Sequence, residues 1–388
     1  MIFGSVVRGL VKKAREINGP EVRRITLQAC VCVATLLLFV SCGHTEQLDL
    51  SRLKLSEGFH IAVFATAPHA RMLAFSPGSV LLVTDMSDGK VLAFPDPKHT
   101  GKAERTVTVL DDLNAPHGIA FHNGKLYVTE INAVRRYDWD EAQLKATNGQ
   151  KIADLPGSGG GHSTRTIIFW NGKMCVAAGS SCNVCKEDDP RRAAVTEYNE
   201  DGSGQRLFAS GLRNSVGLAI NPKTDTIWAV DNGRDWLGDN LPPEEVNDLG
   251  TNGGNFGWPY CYGDRVPNPE YGDAARCART IPPAAKLQAH SAPLGLTFLT
   301  RATQLPEEYR GDLLVAYHGS WNRDTPTGAK VVRVHVAGGS PGAVEDLITG
   351  WQQADGGRWG RPVDVIVAAD GSVLISDDAA GAIYRLSR

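Results

Sequence analysis

The sequence predicts an all-β protein, a six-bladed β-propeller built of four-stranded antiparallel blades. Three observations predict it: a repeated strand pattern, many glycines, and a scarcity of helix-period apolar stretches after residue 50. Glycine accounts for 42 of the 388 residues, which exceeds the usual share of about 7% and favours short strands joined by tight turns. A chain of this length and hydrophobic content can bury a full core.

An apolar strand, a turn and a second strand rich in Leu, Val and Ile recur six times along the chain. The second strands are VLLVTD at 80–85, KLYVTE at 125–130, KMCVAAG at 173–179, TIWAVDNG at 226–233, DLLVAYHG at 312–319 and VLISDD at 373–378. One such unit cannot bury both faces of its small sheet, so stacking of the units around an axis is the expected solution. Two packed β-sandwich domains are the alternative, but no linker-like stretch follows residue 50.

The two ends of the repeat region predict how the ring closes. The chain ends on GAIYRL at 381–386, a third strand, whereas FHIAVFAT at 59–66 precedes the first complete unit. We therefore expect the N-terminal strand to form the outer strand of the last blade. The propeller is predicted to span 55–388 after a linker at 43–54, with residues 234–290 forming a loop excursion over one mouth.

Residues 1–42 are typical of an export signal and are left out of the fold. A pair of arginines precedes an apolar run from Ala29 to Val40, which suits a signal peptide and is too short to span a bilayer. The stretch VSCG that follows resembles a bacterial lipoprotein cleavage box, in which Cys42 is the lipidated residue; an ordinary signal peptide is the alternative. We predict an exported, periplasmic protein with membrane attachment through Cys42.

Five cysteines remain outside the export signal, and outside the cytosol they can form disulfides. The expected bridges are Cys182–Cys185 and Cys261–Cys277. Cys175 then remains as a small hydrophobic residue inside a strand. For the Cys-x-x-Cys pair, haem attachment is not supported because lysine rather than histidine follows it, and zinc lacks an evident second ligand pair.

Charged and polar residues stand where the loops enter the innermost strands, and in a propeller these positions converge on the axis. The group consists of His117, His162, Arg165, Arg213, Asn214, His290 and Arg361. Arginines and histidines gathered in this way repel one another unless an anion lies between them, since unpaired buried charge is costly. The sequence therefore predicts a polycarboxylate ligand on the axis.

The overall charge points to a small partner. The net charge is −3, with acidic and basic residues interspersed. No basic stripe is available to neutralise phosphates, so nucleic acid is not an expected partner.

Several longer motifs resemble one family of quinoproteins. They are GGGHSTRTIIFWNGK, GLRNSVGLAINP, DNGRDWLGDNLPPEEVN, GGNFGWPYCYG and HGSWNR. Together they are similar to the L-sorbosone dehydrogenase branch of the soluble quinoprotein glucose dehydrogenase family, over essentially all of residues 55–388. The resemblance implies a propeller with pyrroloquinoline quinone (PQQ) across the axis and Ca²⁺ beneath it. It also implies oxidation of a sugar or sorbosone-like substrate by hydride transfer, with a quinone or cytochrome as electron acceptor.

The resemblance further implies residue roles. His162 stands in the place of the general base, and Arg213 in that of the arginine that polarises the quinone oxygen. Asn214 is expected to hydrogen-bond the same cofactor edge, and Arg361 to pair with a cofactor carboxylate. The other expected cofactor contacts are His117, Arg165 and Arg323.

The metal and substrate sites follow from the same resemblance. Calcium is expected at Gly233, Arg234 and Asp235, because the family binds it there through backbone carbonyls and oxygen-only ligation suits a hard cation. A simple turn is the alternative for this loop. His290 and Trp321 are expected to form the wall of the substrate pocket.

Two other functions remain open at the sequence level, because a propeller does not by itself define an activity. A calcium-dependent lactonase or related hydrolase would rely on Glu130 and Asp231. A non-catalytic, membrane-anchored binding propeller would need no ring of arginines and histidines.

Overall fold

The computed structural model describes residues 48–157 and 160–388, with one compact unit over Leu50–Arg388. The predicted export signal and Cys42 lie outside the described residues. Six antiparallel blades of four or more strands account for most of the unit, which confirms the six-bladed propeller. The innermost strands contact one another all the way round, with blade 6 against blade 1. No helix within the described ranges is both long and apolar enough to cross a membrane.

Each blade begins with its innermost strand and proceeds outward along the chain. The strands of the first three blades are Ala70–Phe75, Leu81–Asp85, Lys90–Phe94 and Val107–Leu110 in blade 1; Ile119–His122, Lys125–Glu130, Ala133–Asp140 and Lys145–Asp154 in blade 2; and Arg165–Trp170, Lys173–Ala178, Ala194–Tyr198 and Arg206–Ser210 in blade 3. Those of the last three are Ser215–Asn221, Thr226–Asp231, Glu244–Asp248 and Ala285–Leu287 in blade 4; Pro293–Phe298, Leu313–Tyr317, Lys330–Ala337 and Ser340–Thr349 in blade 5; and Pro362–Val367, Val373–Asp377, Ala382–Ser387 and His60–Thr66 in blade 6.

The N-terminal strand closes the ring as predicted. His60–Thr66 pairs antiparallel with Ala382–Ser387 at the outer edge of blade 6, with His60 opposite Ser387. The first and last strands of the propeller therefore belong to the same sheet and are hydrogen-bonded to each other.

Two segments that the sequence analysis treats as loop or linker contain strands of the blades. The stretch 234–290 is not a pure loop excursion, because it contains Glu244–Asp248 and Ala285–Leu287, the outer strands of blade 4. Between them, a long insertion rich in Pro and Gly separates the third strand from the fourth and obscures the repeat in the sequence. The predicted linker is likewise ordered from residue 50, because Lys54–Leu55 pairs with the outer strand of blade 5.

The remaining elements are short. They are the 3₁₀ turns Leu50–Arg52, Leu299–Arg301 and Glu307–Tyr309, the α-helix Ala274–Cys277, the hairpin strands Cys261–Tyr262 and Val266–Pro267, and Gly254–Asn255, which adds in parallel to blade 3. The helix lies in the insertion of blade 4, and Asp273 caps its N-terminus by accepting from the backbone N–H of Arg276.

The core lies between the blades because the second strands are buried on both faces. Leu81–Asp85 is buried throughout, and Leu82 packs with Leu126 and Val128 between blades 1 and 2. Full burial of such a side chain contributes about 1.5–3 kcal/mol. This packing makes the inner strands a rigid support for the loops that precede them.

Both predicted disulfides are confirmed. Cys182 bonds to Cys185, and Cys261 bonds to Cys277. Cys175 is free and fully buried in the second strand of blade 3, as expected for a cysteine that acts as a small hydrophobic residue.

Candidate functional site

A cavity of about 350 Å³ opens where the inner strands begin. Five blades contribute a charged or titratable side chain to its wall: Arg71 from blade 1, His162 from blade 3, Arg213 from blade 4, His290 from blade 5 and Arg361 from blade 6. A cavity reached from five blades must lie on the propeller axis. This is the place at which the repeat pattern predicts that the polar loops converge.

Most of the predicted site residues meet in this cavity. Those that line it are His162, Arg213, Asn214, Gly233, Asp235, His290, Trp321 and Arg361. Four others do not reach it: His117, Arg165, Arg234 and Arg323.

His162 presents one ring nitrogen to the cavity and one to the protein. Its Nδ1 lies 3.0 Å from the carbonyl oxygen of Ser180 and 3.0 Å from the hydroxyl of the same residue. A nitrogen facing a carbonyl carries the hydrogen, so the lone pair is on Nε2. Burial and, to a smaller extent, the nearby Arg213 guanidinium together lower the pKa of His162 to about 3. The imidazole is therefore neutral and able to accept a proton.

The Arg213 guanidinium is held by the loops around it. Its Nε and Nη2 donate to the carbonyl and side-chain oxygens of Asn183 (3.0 Å each), and Nη1 donates to the carbonyls of Asn232 (3.2 Å) and Gly233 (2.8 Å). Nη2 also lies 3.2 Å from a carboxylate oxygen of Asp235. These five acceptors match the five N–H donors of a guanidinium. Arg213 is thus a fixed positive charge at the cavity wall.

This arrangement bears directly on the predicted calcium site. The carbonyl of Gly233 accepts from Arg213, and the carboxylate of Asp235 accepts from Arg213 and from Asn322. A dication at these oxygens would stand next to a fixed guanidinium. The loop as placed therefore does not fit a calcium ion.

His117 and Arg165 lie behind the cavity wall instead of facing the cofactor space. His117 is completely buried, and its Nδ1 is 3.2 Å from the carbonyl of Arg165. The guanidinium of Arg165 donates to the carbonyls of His162, Thr164 and Pro156. Arg165 therefore supports the loop that carries His162 and does not line the cavity.

Arg234 and Arg323 also point away from the cavity. Arg234 donates to the side-chain oxygen of Asn268 and pairs with Glu270 in the insertion of blade 4. Arg323 donates to the carbonyls of Asp239 and Ala289. Both arginines connect loops at the rim of the cavity. Each donates hydrogen bonds to acceptors that the sequence pattern does not predict.

Three residues that the sequence analysis missed form a network at the cavity. Arg71 donates from Nη1 to Asp378 (2.7 Å), and His318 Nε2 lies 2.9 Å from the other oxygen of the same carboxylate. Burial opposes the charge of Asp378, but the hydrogen bonds from His318 and Arg71 outweigh it and lower its pKa to about 2. Burial lowers the pKa of His318 to about 4 despite its carboxylate partner.

The sequence did contain a signal for these residues. Arg71 stands just before the apolar part of the first strand of blade 1, as His162 and Arg213 do in blades 3 and 4. His318 begins the HGSWNR motif, in which Trp321 and Arg323 were singled out instead. Aligning the six strand starts would have found Arg71.

The charges in the cavity do not balance. Asp235 and Asp378 each pair with one arginine, and burial raises the pKa of Glu244 to about 8, which leaves that carboxyl protonated at neutral pH. Arg361 has no carboxylate partner among the described residues, and its guanidinium donates only to the carbonyls of His318 and Gly319. The cavity therefore carries an excess of positive charge that an anionic ligand can neutralise.

Two tryptophans stand at the mouth of the cavity. Trp236 and Trp321 are each 66% exposed, and their rings are perpendicular with centroids 5.1 Å apart. His290 holds the first of these loops, because its Nε2 lies 2.9 Å from the carbonyls of Gly238 and Leu241. The pair offers an apolar face next to a polar cavity, an arrangement that suits a sugar or a flat ring.

The residues of the alternative hydrolase are not in the cavity wall. Glu130 pairs with Arg135 and accepts from the backbone N–H of Asn114. Asp231 is buried and accepts from the backbone N–H of Asn214 and the hydroxyl of Ser215. Both carboxylates are engaged by neighbouring groups of the protein.

The chain is similar to several known proteins. A family model described as TrAA12-like matches residues 53–388. An uncharacterized protein of Borreliella burgdorferi is 30% identical over 378 residues, which cover 91% of this chain and 96% of that protein.

Two further similarities are to a pyranose dehydrogenase. A pyrroloquinoline quinone-dependent pyranose dehydrogenase of Coprinopsis cinerea is 27% identical over 425 residues, covering 90% of this chain and 56% of that protein. This chain thus spans about half the length of that relative. The holo form of the pyranose dehydrogenase PQQ domain from Coprinopsis cinerea matches with a TM-score of 0.76 and 25% identity, covering 87% of this chain and 97% of that domain. The resemblance seen in the motifs is confirmed.

Proposed function

Because the chain belongs to the TrAA12-like family, we propose that it is a PQQ-dependent oxidoreductase that oxidises a sugar. The observation that carries the proposal is the charge of the axial cavity. Arg71, Arg213 and Arg361 line it together, and Arg361 lacks a carboxylate partner among the described residues. A tricarboxylic ligand supplies the missing negative charge through charge-assisted hydrogen bonds.

Unsatisfied polar atoms support the fit of PQQ to this cavity. Within the described chain, Nε of Arg71 and the side-chain oxygens of Asn214 and Asn322 are buried without a hydrogen-bond partner. Buried polar atoms without partners are rare in native proteins. One unsatisfied donor and two unsatisfied acceptors around the same cavity suit a ligand that carries both carboxylates and an N–H group.

The bound ortho-quinone would supply a two-electron, hydride-type acceptor. His162 would take the hydroxyl proton of the substrate at Nε2, because its Nδ1 hydrogen is already committed to Ser180. Ligand carboxylates in the cavity would raise the pKa of His162 toward its ordinary range and improve it as a base. Arg213 would stabilise developing negative charge through its fixed positive charge.

Arg361 and Arg71 would hold the carboxylates of the cofactor, and Asn214 would bind its N–H edge. Calcium, which the resemblance implies, does not fit the loop at Gly233 and Asp235 while Arg213 occupies these oxygens. No step of the proposal therefore uses it.

The proposed substrate is a pyranose or a sorbosone-like aldehyde or alcohol. Trp321 lines the cavity and is largely exposed, so its ring can cover the apolar face of a sugar next to His162. The electrons would leave through an external quinone or cytochrome. Turnover measured with sugars and simple alcohols of increasing size would define the substrate specificity.

We also propose that the protein is exported and attached to a membrane through Cys42. The Cys182–Cys185 and Cys261–Cys277 disulfides support an oxidising compartment. Mass analysis of the mature N-terminus tests this proposal, since a diacylglycerol-modified cysteine at position 42 is expected. An unmodified chain that retains its first residues contradicts it.

The activity is tested by reconstitution of the purified chain with PQQ. Binding is measured by equilibrium dialysis, and turnover by reduction of an artificial acceptor with aldoses, sorbosone and simple alcohols. Arg361→Met is expected to weaken PQQ binding about ten-fold or more, since hydrogen bonds to charged groups contribute about 1.5–3 kcal/mol. Arg206→Met is the matched control, because Arg206 pairs with Glu197 at the exposed edge of blade 3.

His162→Gln separates binding from chemistry. It should retain PQQ and lose at least about a hundred-fold in turnover, the usual contribution of a general base. A chain that binds no PQQ overturns the proposed function. Unchanged turnover in the His162 variant overturns only the assignment of the base.

A further inference from the structure

The loop closed by the Cys182–Cys185 disulfide lies against both proposed catalytic side chains. Asn183, between the two cysteines, accepts from Nε of Arg213 through its carbonyl and from Nη2 of Arg213 through its side chain, each at 3.0 Å. The same side-chain oxygen accepts from the backbone N–H of Asp235 (2.8 Å). One residue of this loop therefore fixes two nitrogens of the guanidinium.

The start of the loop holds the histidine. The hydroxyl of Ser180 donates to the carbonyl of Cys182 (2.7 Å) and lies 3.0 Å from Nδ1 of His162. The backbone continues the link, because the N–H of His162 donates to the carbonyl of Ser180 and the N–H of Ser180 donates to the carbonyl of Arg213. His162 and Arg213 are thus joined through the residues next to one disulfide.

The two disulfides differ in their access to solvent. Cys182 and Cys185 are both partly exposed, whereas Cys261 is 3% and Cys277 1% exposed. A reductant in solution therefore reaches the first disulfide and not the second while the chain is folded.

We propose that the Cys182–Cys185 disulfide is a redox-sensitive positioning element of the active site. A dithiol reductant breaks the S–S bond, and two electrons and two protons convert it into two thiols. Without this cross-link the segment around Asn183 is free to move, so Arg213 and the Ser180 support of His162 lose their fixed geometry. Asn183 is a positioning residue that acts through Arg213. The effect on turnover rests on the proposed function, whereas the effect on loop order does not.

The first test uses the full chain without quinone. The chain is reduced under native conditions, the reductant is removed under argon, and free thiols are counted. Reduction should add two thiols to the number counted before reduction, and amide hydrogen exchange should become faster at His162 and Ser180. Reduction of the disulfide, verified by the thiol count, with no change in exchange at these amides overturns the proposal.

The second test adds PQQ after the reductant has been removed. Reduced chain should show turnover that is lower by about ten-fold or more, as expected when hydrogen bonds to a charged group are lost, and reoxidation should restore it. Cys182→Ser/Cys185→Ser should show the same loss and no response to reductant. Cys261→Ser/Cys277→Ser is the matched control. Its turnover should still fall on reduction as that of the parent does, because the Cys261–Cys277 disulfide that it lacks contacts neither His162 nor Arg213.

The Asn183 side chain is tested separately. Asn183→Ala should lower kcat more than it raises the substrate KM, and Asn183→Asp should recover most of kcat because a carboxylate accepts the same N–H groups. Equal kcat values for Asn183→Ala and the parent overturn positioning through this side chain. If the parent binds no PQQ, the proposed function fails, and the exchange experiment still decides the positioning claim.

Discussion

His318 and Asp378 join blades 5 and 6 at the cavity, with Nε2 of the histidine 2.9 Å from Oδ1 of the carboxylate. Arg71 from blade 1 donates to the second carboxylate oxygen at 2.7 Å. The carboxylate thus connects three blades at the point where the ring closes. Its two donors are mostly buried, since the side chains of Arg71 and His318 are 13% and 15% exposed.

Replacing this carboxylate should destabilise the ring. Asp378→Asn leaves Arg71 buried without a negative partner, and we expect a loss of about 2 to 3 kcal/mol in the free energy of unfolding at neutral pH, measured in urea. Because the folded-state pKa of Asp378 is lowered to about 2, its contribution is present above the unfolded pKa and is lost as the pH falls through about 2. The difference in the free energy of unfolding between Asp378→Asn and the parent should therefore become smaller in acid.

Two variants serve as controls for this prediction. Arg71→Met/Asp378→Asn should be more stable than Asp378→Asn alone, because it no longer buries an unpaired guanidinium. Asp138→Asn removes an exposed pair between Asp138 and Lys125, whose side chains are 47% and 43% exposed, and should leave the free energy of unfolding close to that of the parent. Equal losses in Asp378→Asn and Asp138→Asn would contradict the prediction.

The blades were predictable because each second strand is an apolar run bounded by turn residues, and burial on both faces requires that composition. Thr226–Asp231 and Leu313–Tyr317 follow the predicted segments closely. The outer strands of blade 4 were missed because Glu244–Asp248 carries acidic residues and is separated from Ala285–Leu287 by the insertion. Charged residues inside a buried strand interrupt the apolar run by which such strands are predicted.

The site was predictable in position but only partly in identity. The start of an inner strand places a residue near the axis, which is why His162, Arg213 and Arg361 meet. Whether a side chain in such a loop points inward depends on the acceptors around it. Arg165 turns back to the carbonyl groups of its own loop. No sequence pattern indicates where these carbonyl groups lie.

The absence of a side chain at Gly179 allows the two sides of the site to approach. A Cβ at this position would stand 2.3 Å from the side-chain oxygen of Asn214 and 2.7 Å from Cβ of His162. Gly179→Ala should therefore displace both residues and weaken PQQ binding by about ten-fold, which corresponds to the loss of about 1.4 kcal/mol in hydrogen bonding to the cofactor. Equilibrium dialysis against PQQ measures the change.

Gly157→Ala is the matched control for Gly179→Ala, because a Cβ at Gly157 has no neighbour within 4 Å among the residues that the structure describes. It should bind PQQ like the parent. Circular dichroism should show the same β content for both variants. Parental affinity in Gly179→Ala would mean that PQQ binding does not depend on the present position of Asn214.

A second pH effect should come from Asp364, in the inner strand of blade 6. Its carboxylate accepts from the backbone N–H of Leu73 in blade 1 and from that of Val365, both at 2.9 Å. Burial raises its pKa to about 7, so between about pH 4 and 7 the folded chain holds a proton that the unfolded chain has lost. The contribution of Asp364 to the free energy of unfolding must therefore fall as pH rises through this window.

Asp364→Asn tests this effect because its amide cannot titrate. Its free energy of unfolding should be lower than that of the parent in acid, where the parent carboxyl is neutral, and the two values should converge as the pH rises toward 7. Urea unfolding at closely spaced pH values measures both curves. Two parallel curves across this range would show that Asp364 does not titrate there.

Arg213 makes a specific prediction for calcium. Its Nη1 occupies the carbonyl oxygens of Asn232 and Gly233, so excess Ca²⁺ should leave the thermal midpoint of the quinone-free parent unchanged. Arg213→Met frees these oxygens and removes the competing charge. The variant should then gain stability with Ca²⁺, by about 2.7 kcal/mol at a hundred-fold excess over the dissociation constant. Mg²⁺ should be a poor substitute, because it requires near-ideal octahedral geometry. Equal stabilisation of parent and variant by Ca²⁺ would show that the guanidinium and the metal do not compete for this loop.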